Sequence, residues 1–220
     1  MFGAVWLCST MSSTATQSTN EITLKGSTAI VTEFFGYSIN SILYQRGIYP
    51  PDTFKRVQEY GLAMMVTEDP GLQEYLGKIL SQVSEWLQGG EVQKLVIVVS
   101  GAESGETLER WTFNVETDRR VVSKEDTQPK VKDVKVIKAE IQAIIRQITG
   151  SVSFLPLLQE MCTFDLLVYT DAEAAVPTSW EESDPKYITN SEEVRLRSFT
   201  TQVHKVEGMV SYRADDEDDI

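Results

Sequence analysis

Residues 33–50 read EFFGYSINSILYQRGIYP and form the second half of a long apolar stretch. One apolar face repeats at the helical spacings of four, four and three residues; its members are Val31, Phe35, Ile39 and Ile42. A second apolar stripe beside it contains Ile30, Phe34 and Tyr37. A helix that is apolar on most sides is usually buried inside a domain. We therefore predict a central helix over residues 22–44, which stops before Pro50-Pro51 because proline disfavours helical backbone in the preceding residue.

The next apolar patterns also predict helices. One helix is predicted to begin at Asp52 or Thr53, and its apolar residues are Phe54, Val57, Tyr60 and Leu62. Another opens at Asp69-Pro70, since proline suits a first helical turn, and it stops at Gly89-Gly90. A further helix is predicted from Val134 onward, with isoleucines on its buried face.

Strand patterns occupy the rest of the chain. Residues 95–99, LVIVV, are typical of a strand covered on both faces. Residues 111–115 alternate apolar with polar and form an antiparallel hairpin with that strand through a turn at 101–105. The charged residues 117–133 are predicted as a surface loop.

The C-terminal part is predicted to be rich in strands. Residues 164–169 alternate as one strand, and Pro177 and Pro185 mark a loop around Trp180. Residues 194–205 alternate as another strand, and Gly208 is predicted in a tight turn before residues 209–212. The whole pattern predicts an α+β fold of three helices, a hairpin, a helix and a strand-rich end.

The composition limits the classes of partner. The chain has 220 residues, 41% of them hydrophobic, which suffices for one sizeable core. No apolar run approaches the roughly 20 residues of a membrane span, so no membrane partner is expected. The formal net charge of −13 argues against nucleic acid and favours basic peptide segments. The two cysteines, Cys8 and Cys162, fit a reducing, intracellular compartment better than a disulfide scaffold.

Both ends of the chain differ from its middle. Residues 1–20 have a short apolar start with no basic residue and then become rich in Ser and Thr. We expect a disordered leader there rather than a secretory signal. Residues 214–220 contain five consecutive acidic residues and are expected to be a solvated tail.

No residue pattern singles out a catalytic or metal site. His204 is the one histidine, and with two distant cysteines it does not make a typical zinc site, so no cofactor is expected. A packing or surface role is predicted for it. Trp86 and Trp111 fall on apolar faces and are predicted in the core, whereas Trp180 fits a packing anchor and an interface hot spot equally well. A small cytosolic enzyme with a carboxylate pair stays open as an alternative.

Long strings of this sequence resemble the spindle-checkpoint (mitotic arrest deficient) branch of the HORMA-domain family. Residues 33–50 resemble the signature of its first helix. Other matching strings are VQKLV (92–96), ESGE (103–106), LERW (108–111), IRQIT (145–149), FLPLL (154–158), FDLL (164–167) and ITNSEEVRLRSFTT (188–201). The resemblance covers roughly residues 21–212, and the length of these strings separates the chain from meiotic-axis and translesion relatives.

The resemblance implies a HORMA domain over residues 21–213. This is an α+β fold with a central mixed or antiparallel sheet, three main helices and a mobile C-terminal safety-belt segment. The safety belt, up to about Thr189, and the relocating strands, Val194–Tyr212, together occupy about residues 171–213. The segment covers one edge of the sheet in an open state and the other edge in a closed state. In the closed state a partner peptide pairs with the exposed strand and the belt wraps it, so the protein is expected to be an adaptor and not an enzyme.

The resemblance also implies two sets of site residues. Those implied for peptide binding are Phe164, Asp165, Leu166, Leu167, Val168 and Tyr169, together with Trp86 and Trp180. Those implied for dimerisation, in which open and closed copies pair, are Arg146, Gln147, Phe154, Glu109 and Arg197.

The implied partners belong to the checkpoint. They are the coiled-coil checkpoint scaffold at kinetochores, the WD40 activator of the anaphase-promoting complex, a second copy of the chain, and the HORMA-like adaptor and AAA+ remodeller that silence the checkpoint. Inhibiting the activator delays anaphase, and the expected locations are the nucleus, the kinetochore and the cytoplasm. A HORMA adaptor for a meiotic axis or a translesion polymerase stays open as an alternative.

Overall fold

A computed structural model describes residues 21–214. The predicted leader of residues 1–20, which contains Cys8, and the acidic residues after 214 lie outside the described residues. The predicted α+β class is confirmed. The elements are α1 (Leu24–Gln45), β1 (Phe54–Glu59), β2 (Leu62–Thr67), α2 (Pro70–Gly89), β3 (Val92–Gly101), β4 (Thr107–Thr117), α3 (Arg119–Val122), α4 (Val134–Gly150), β5 (Cys162–Thr170), β6 (Ser191–Thr200) and β7 (His204–Arg213).

The main sheet is five-stranded and antiparallel, in the order β5-β3-β4-β7-β6. Its two edges are therefore β5 and β6, and these two strands are joined by the irregular residues 171–190. Strands β1 and β2 form a separate two-stranded sheet. The C-terminal hairpin of β6 and β7 attaches to the main sheet through β4, on the side opposite to β5.

Helix α1 lies at the centre of the core, as its sequence predicts. It contacts α2, α4, β2 and β7. The Phe34 ring is 5.5 Å from that of Phe113 in β4 and 4.9 Å from that of Phe199 in β6. Because all three rings are buried, the sheet and the C-terminal hairpin share one hydrophobic core with the helices.

An ion pair joins the end of α1 to the sheet. Arg46 Nη2 lies 2.5 Å from Glu109 Oε1, and both side chains are buried, with exposed fractions of 5% and 2%. The same Nη2 donates to the carbonyl of Pro156 at 2.6 Å, and Trp111 Nε1 donates to Glu109 Oε2 at 3.1 Å. Burial raises the pKa of the Glu109 carboxyl, and the interactions with Arg46 and Trp111 oppose this rise.

The helices α2 and α4 are confirmed, with boundaries that follow the sequence signals. Asp69 caps α2 by accepting a hydrogen bond from the Leu72 N–H, and Gly90 ends it in the left-handed conformation. The region predicted as a surface loop, 117–133, also contains the short helix α3. No helix within residues 21–214 has the length and apolar character needed to cross a membrane.

The helix predicted to start at Asp52 or Thr53 is wrong. Only a single 3₁₀ turn forms there, and residues 54–67 form the hairpin of β1 and β2. Tyr60 and Gly61 both have positive φ, at 51° and 68°, as a two-residue turn between antiparallel strands requires. Tyrosine is uncommon in that conformation, so the sequence carries only half of the usual turn signal.

The predicted turn at Gly208 is also wrong. Gly208 lies inside β7 opposite Phe113, and a Cβ at this position would lie 3.1 Å from Leu196 Cδ1. The glycine is thus required by close packing and not by a turn. The turn between β6 and β7 lies at residues 201–203, where Gln202 takes the positive φ of 75°.

Candidate peptide-binding site

Strand β5 offers an open edge of the main sheet. Within residues 21–214, it pairs with β3 on one side and with no strand on the other. The Ala102 N–H donates to the Met161 carbonyl at 2.7 Å, just before the ladder of β3 and β5. Since backbone groups alternate between the two sides of a strand, the N–H and C=O groups of Phe164, Leu166 and Val168 point away from β3. These groups are a template for a further strand.

The side chains of the same residues face α2 and the core. Leu166 is buried, and Phe164 and Val168 are half-buried. The Phe164 ring contacts Tyr49 and Tyr75 at centroid distances of 6.1 and 5.9 Å. Burial raises the pKa of the Tyr75 hydroxyl, and so does the charge of Asp165, whereas a hydrogen bond with the Leu166 backbone lowers it. This contact places the Tyr75 hydroxyl beside the open edge.

The remaining residues of β5 lie on the opposite face of the strand. Asp165 is exposed, whereas Leu167 and Tyr169 are half-buried. The Lys94 ammonium lies 4.1 Å from the centroid of the Tyr169 ring, a cation–π contact across β3 and β5. This cation–π contact does not involve the backbone of β5, whereas the Tyr75 hydroxyl occupies one outward-facing backbone group, that of Leu166.

We call residues 171–190 the belt. Two tryptophans fasten its middle: the Trp180 ring packs against that of Trp86 from α2 at 4.9 Å and an interplanar angle of 68°. Trp86 Nε1 also donates to the Ala175 carbonyl at 3.0 Å. Trp86 is 3% exposed and Trp111 is fully buried, which confirms their predicted place in the core. Trp180 is at least a packing anchor for the belt.

The start of the belt has polar anchors. Asp171 Oδ1 accepts from Gln93 Nε2 at 3.0 Å, and Asp171 Oδ2 lies 2.6 Å from Arg119 Nη2. Its backbone N–H donates to the Glu91 carbonyl at 2.9 Å. The hydrogen bond from Gln93 and the contact with Arg119 lower the pKa of the Asp171 carboxyl, and burial partly opposes this change.

The end of the belt is fastened at the opposite end of the sheet. The Arg110 guanidinium lies 5.0 Å from the centroid of the Tyr187 ring. The Ala214 N–H donates to the Asn190 carbonyl at 3.0 Å, and Arg213 pairs with Glu106. The belt therefore spans the length of β5 and is held at both ends and in the middle.

A cavity of about 560 Å³ lies between β5 and the belt. Its apolar lining includes Trp86, Leu166, Val168, Val176 and Trp180. Its acidic lining consists of Asp171, Glu181 and Glu182. An apolar channel beside unpaired strand backbone suits an extended peptide with apolar side chains and a basic flank.

Among the five residues predicted for dimerisation, Gln147 and Arg197 are in direct contact. Arg146 is exposed on α4, and the neighbouring Gln147 Oε1 accepts the Arg197 N–H of β6 at 2.6 Å. Phe154 follows α4 and is 44% exposed. Glu109 is buried in its ion pair with Arg46, so its side chain is not exposed as those of Arg146 and Phe154 are.

The sequence analysis named Trp86 and Trp180 but did not identify the polar anchors of the belt or the contacts of Tyr187 and Tyr75. Arg119 lies in the charged region predicted as a surface loop, and Arg110 and Tyr187 are far apart in sequence. Tyr75 follows the apolar spacing of α2, and no other feature of the sequence marks it as a residue of the site. Within residues 21–214, no group of three or more His, Cys, Asp and Glu side chains is arranged to hold a metal ion.

Comparisons of the sequence and of the fold with known proteins agree on one family. The profile of the HORMA domain matches residues 27–204. The chain is 60% identical over 199 residues to the mitotic spindle assembly checkpoint protein MAD2A of Dictyostelium discoideum, covering 90% of this chain and 97% of the relative. It is 58% identical over 192 residues to the human protein of that name, covering 87% and 93%. A chain in the crystal structure of a mitotic checkpoint complex matches with a TM-score of 0.77 and 46% identity, covering 86% of this chain and 99% of that chain.

Proposed function

Because this chain belongs to the HORMA-domain family and is a spindle-checkpoint adaptor within it, we propose that it holds an extended partner peptide between strand β5 and the belt. The observation that carries the proposal is the juxtaposition of an open strand edge, an apolar cavity and a belt anchored at both ends. Backbone hydrogen bonds to β5 supply affinity, and side-chain pockets supply specificity.

The position of the C-terminal hairpin supports the closed state. The hairpin pairs with β4, so it leaves the β5 edge uncovered, as the closed arrangement requires. We propose that the hairpin covers β5 in an open state and moves to β4 when a peptide is captured. Such a switch requires two packings of similar free energy. A belt that must detach before the peptide leaves also makes binding and release slow.

The partners that we propose are checkpoint proteins. They are the coiled-coil scaffold at kinetochores, the WD40 activator of the anaphase-promoting complex, a second copy of this chain, and the silencing adaptor with its AAA+ remodeller. The support is that relatives with 60% and 58% identity are named spindle assembly checkpoint proteins and that a similar chain occurs in a mitotic checkpoint complex. We propose action in the nucleus, at the kinetochore and in the cytoplasm.

We propose that the protein acts by binding and not by catalysis. A peptide held by strand addition is recognised by hydrogen bonds and apolar contacts alone. The same high identities to checkpoint proteins disfavour a meiotic or polymerase adaptor and a small enzyme.

The substitution Val168→Pro tests strand addition. The Val168 N–H points away from β3, so proline removes a hydrogen bond to the peptide and not one of the sheet. We expect a labelled peptide from the WD40 activator to bind at least about tenfold more weakly, or about 1.4 kcal/mol, in fluorescence anisotropy. Val168→Thr keeps the N–H and the β-branched shape, and it should bind like the wild type. Equal affinity of the proline variant would contradict pairing at β5.

The substitution Arg146→Glu tests the self-association face. Arg146 is exposed and belongs to the predicted dimerisation set with Gln147 and Phe154. A glutamate at position 146 should repel the group that Arg146 contacts in the second copy, or leave it unpaired, so dimerisation should be abolished while peptide capture is unchanged. Sedimentation velocity measures the dimer, and the matched control is Lys138→Glu, an exposed charge reversal on the side of α4 that faces Glu59. A variant that dimerises like the wild type, or a wild type that is monomeric at all concentrations, shows that this face is assigned wrongly.

A further inference from the structure

The turn between β6 and β7 carries polar side chains into the core. Thr201 and His204, at its two ends, are both fully buried. The Thr201 N–H donates to the His204 carbonyl at 2.9 Å, and the His204 N–H donates to Thr201 Oγ1 at 2.9 Å. The turn is therefore a rigid unit that presents one hydroxyl and one imidazole to the helices.

Two helix ends receive these groups. Ser27, in the first turns of α1, places its Oγ 2.6 Å from His204 Nδ1 and 2.5 Å from Thr201 Oγ1. The carbonyl of Leu87, in the last turn of α2, lies 3.2 Å from His204 Nε2. A carbonyl only accepts, so Nε2 must carry the proton, and Nδ1 then accepts from the Ser27 hydroxyl. Neutral His204 thus satisfies both of its partners.

This network connects the C-terminal hairpin to the helices at the end of the sheet away from Glu109. His204 is the first residue of β7, the strand by which the hairpin pairs with β4. The hairpin therefore cannot leave β4 unless His204 leaves its site between α1 and α2. Departure would leave the buried Ser27 hydroxyl without its partners in the hairpin, and an unpaired buried polar group is unfavourable. The contacts therefore exist only while the hairpin is docked.

We propose that Ser27, Thr201 and His204 form a latch whose engagement keeps the C-terminal hairpin on β4 and so sets the rate at which a bound peptide is released. The inference rests on the proposed function, since it assumes that release requires the hairpin and belt to detach. His204 and Ser27 are positioning residues in this process, because they join the hairpin to α1 and lie outside the proposed peptide site.

The titration of His204 gives the latch a distinctive signature. Burial lowers its pKa from 6.5 to about 4, and the Leu87 carbonyl partly opposes this change. The charged side chains near the turn pair among themselves, Lys132 with Glu140 and Lys205 with Glu116 and Glu207, and none of them contributes to the shift. A depressed pKa means that docking is fully favoured above pH 6.5 and weakens by up to about tenfold per pH unit below it.

Peptide release from the full chain tests the latch. A preformed complex with the labelled WD40-activator peptide is chased with unlabelled peptide, and the release rate is followed at about pH 7.5, 6.5 and 5.5. We expect the wild type to release about tenfold faster at the lowest of these pH values than at the highest one. His204→Gln should release about tenfold faster than the wild type near pH 7.5 and show no further rise. Ser27→Ala should also release faster, and Ser198→Ala, an exposed serine of the same hairpin, should not.

The outcomes separate the latch from the function on which it rests. If the wild type captures the peptide but releases it at a rate independent of pH, the latch is wrong, and this result needs no variant to fold. A rise at low pH that persists in His204→Gln comes from other groups and also overturns it. If the wild type captures no peptide at any pH, the proposed function fails instead.

Discussion

A chain that ends at Val203 will fail to capture the partner peptide while it keeps most of its helical structure. Strand β7 supplies the fully buried Val206 and Val210 and is the partner of β6 in the sheet. Without β7, β6 has no neighbouring strand among the described residues, and the end of the belt loses its anchors at Arg213 and Ala214. The outer wall of the cavity then has no fixed position.

The expected loss of affinity is about a hundredfold or more, or about 2.8 kcal/mol, in fluorescence anisotropy. Circular dichroism should show that the helices α1, α2 and α4 persist, since α2 and α4 pack against α1, α1 contacts β4 through Phe34 and Phe113, and α2 contacts β3. The matched control ends at Ala214, which removes the five acidic residues and Ile220 that follow, and it should capture the peptide normally. Normal capture by the shorter truncation would mean that the belt does not hold the peptide.

The largest expected change in stability comes from Arg46→Ala. The substitution leaves the Glu109 carboxylate 2% exposed with no cation, and removing one partner of a buried pair costs about 3–5 kcal/mol. It also removes the donor to the Pro156 carbonyl that ties the segment after α4 to α1. Urea unfolding followed by circular dichroism measures the loss as a lower midpoint with an unchanged slope.

A double variant separates charge burial from lost packing. Arg46→Met together with Glu109→Gln removes both charges, keeps an acceptor for Trp111 Nε1 and should recover much of the stability. Arg120→Ala, which breaks an exposed pair with Asp118, should leave the midpoint unchanged. A midpoint for Arg46→Ala equal to that of the wild type would show that the pair contributes nothing to stability.

The sequence predicted the helices well because their signals are local. The apolar faces of α1, α2 and α4 repeat with the helical period, and Asp69 and Gly90 mark the ends of α2 as cap residues do. The hairpin of β1 and β2 was missed because Phe54, Val57 and Tyr60 recur every three residues, which imitates a helix. Its true signal, the positive φ of Tyr60, depends on tertiary packing that sequence periodicity does not contain.

The site was predicted through family resemblance and not through patterning. Alternation alone identified residues 164–169 as a strand, but nothing in that pattern shows that its outer side is left unpaired. Edge position depends on strand order, which is a property of the whole sheet. The contacts of Arg119 with Asp171 and of Ser27 with His204 join residues 52 and 177 positions apart, so no local signal predicts them.

The two edges of the main sheet differ in a way that affects handling of the protein. Strand β6 presents the exposed charges of Glu192, Glu193, Arg195 and Arg197, which discourage other chains from adding to it. Strand β5 has one exposed charge, that of Asp165, and its apolar residues form the kind of segment from which intermolecular cross-β assembly starts. The net charge of −13 keeps molecules apart by mutual repulsion, which salt screens. A bound peptide therefore acts as a solubilising cap, and concentrated, high-salt samples without one are the most prone to precipitate.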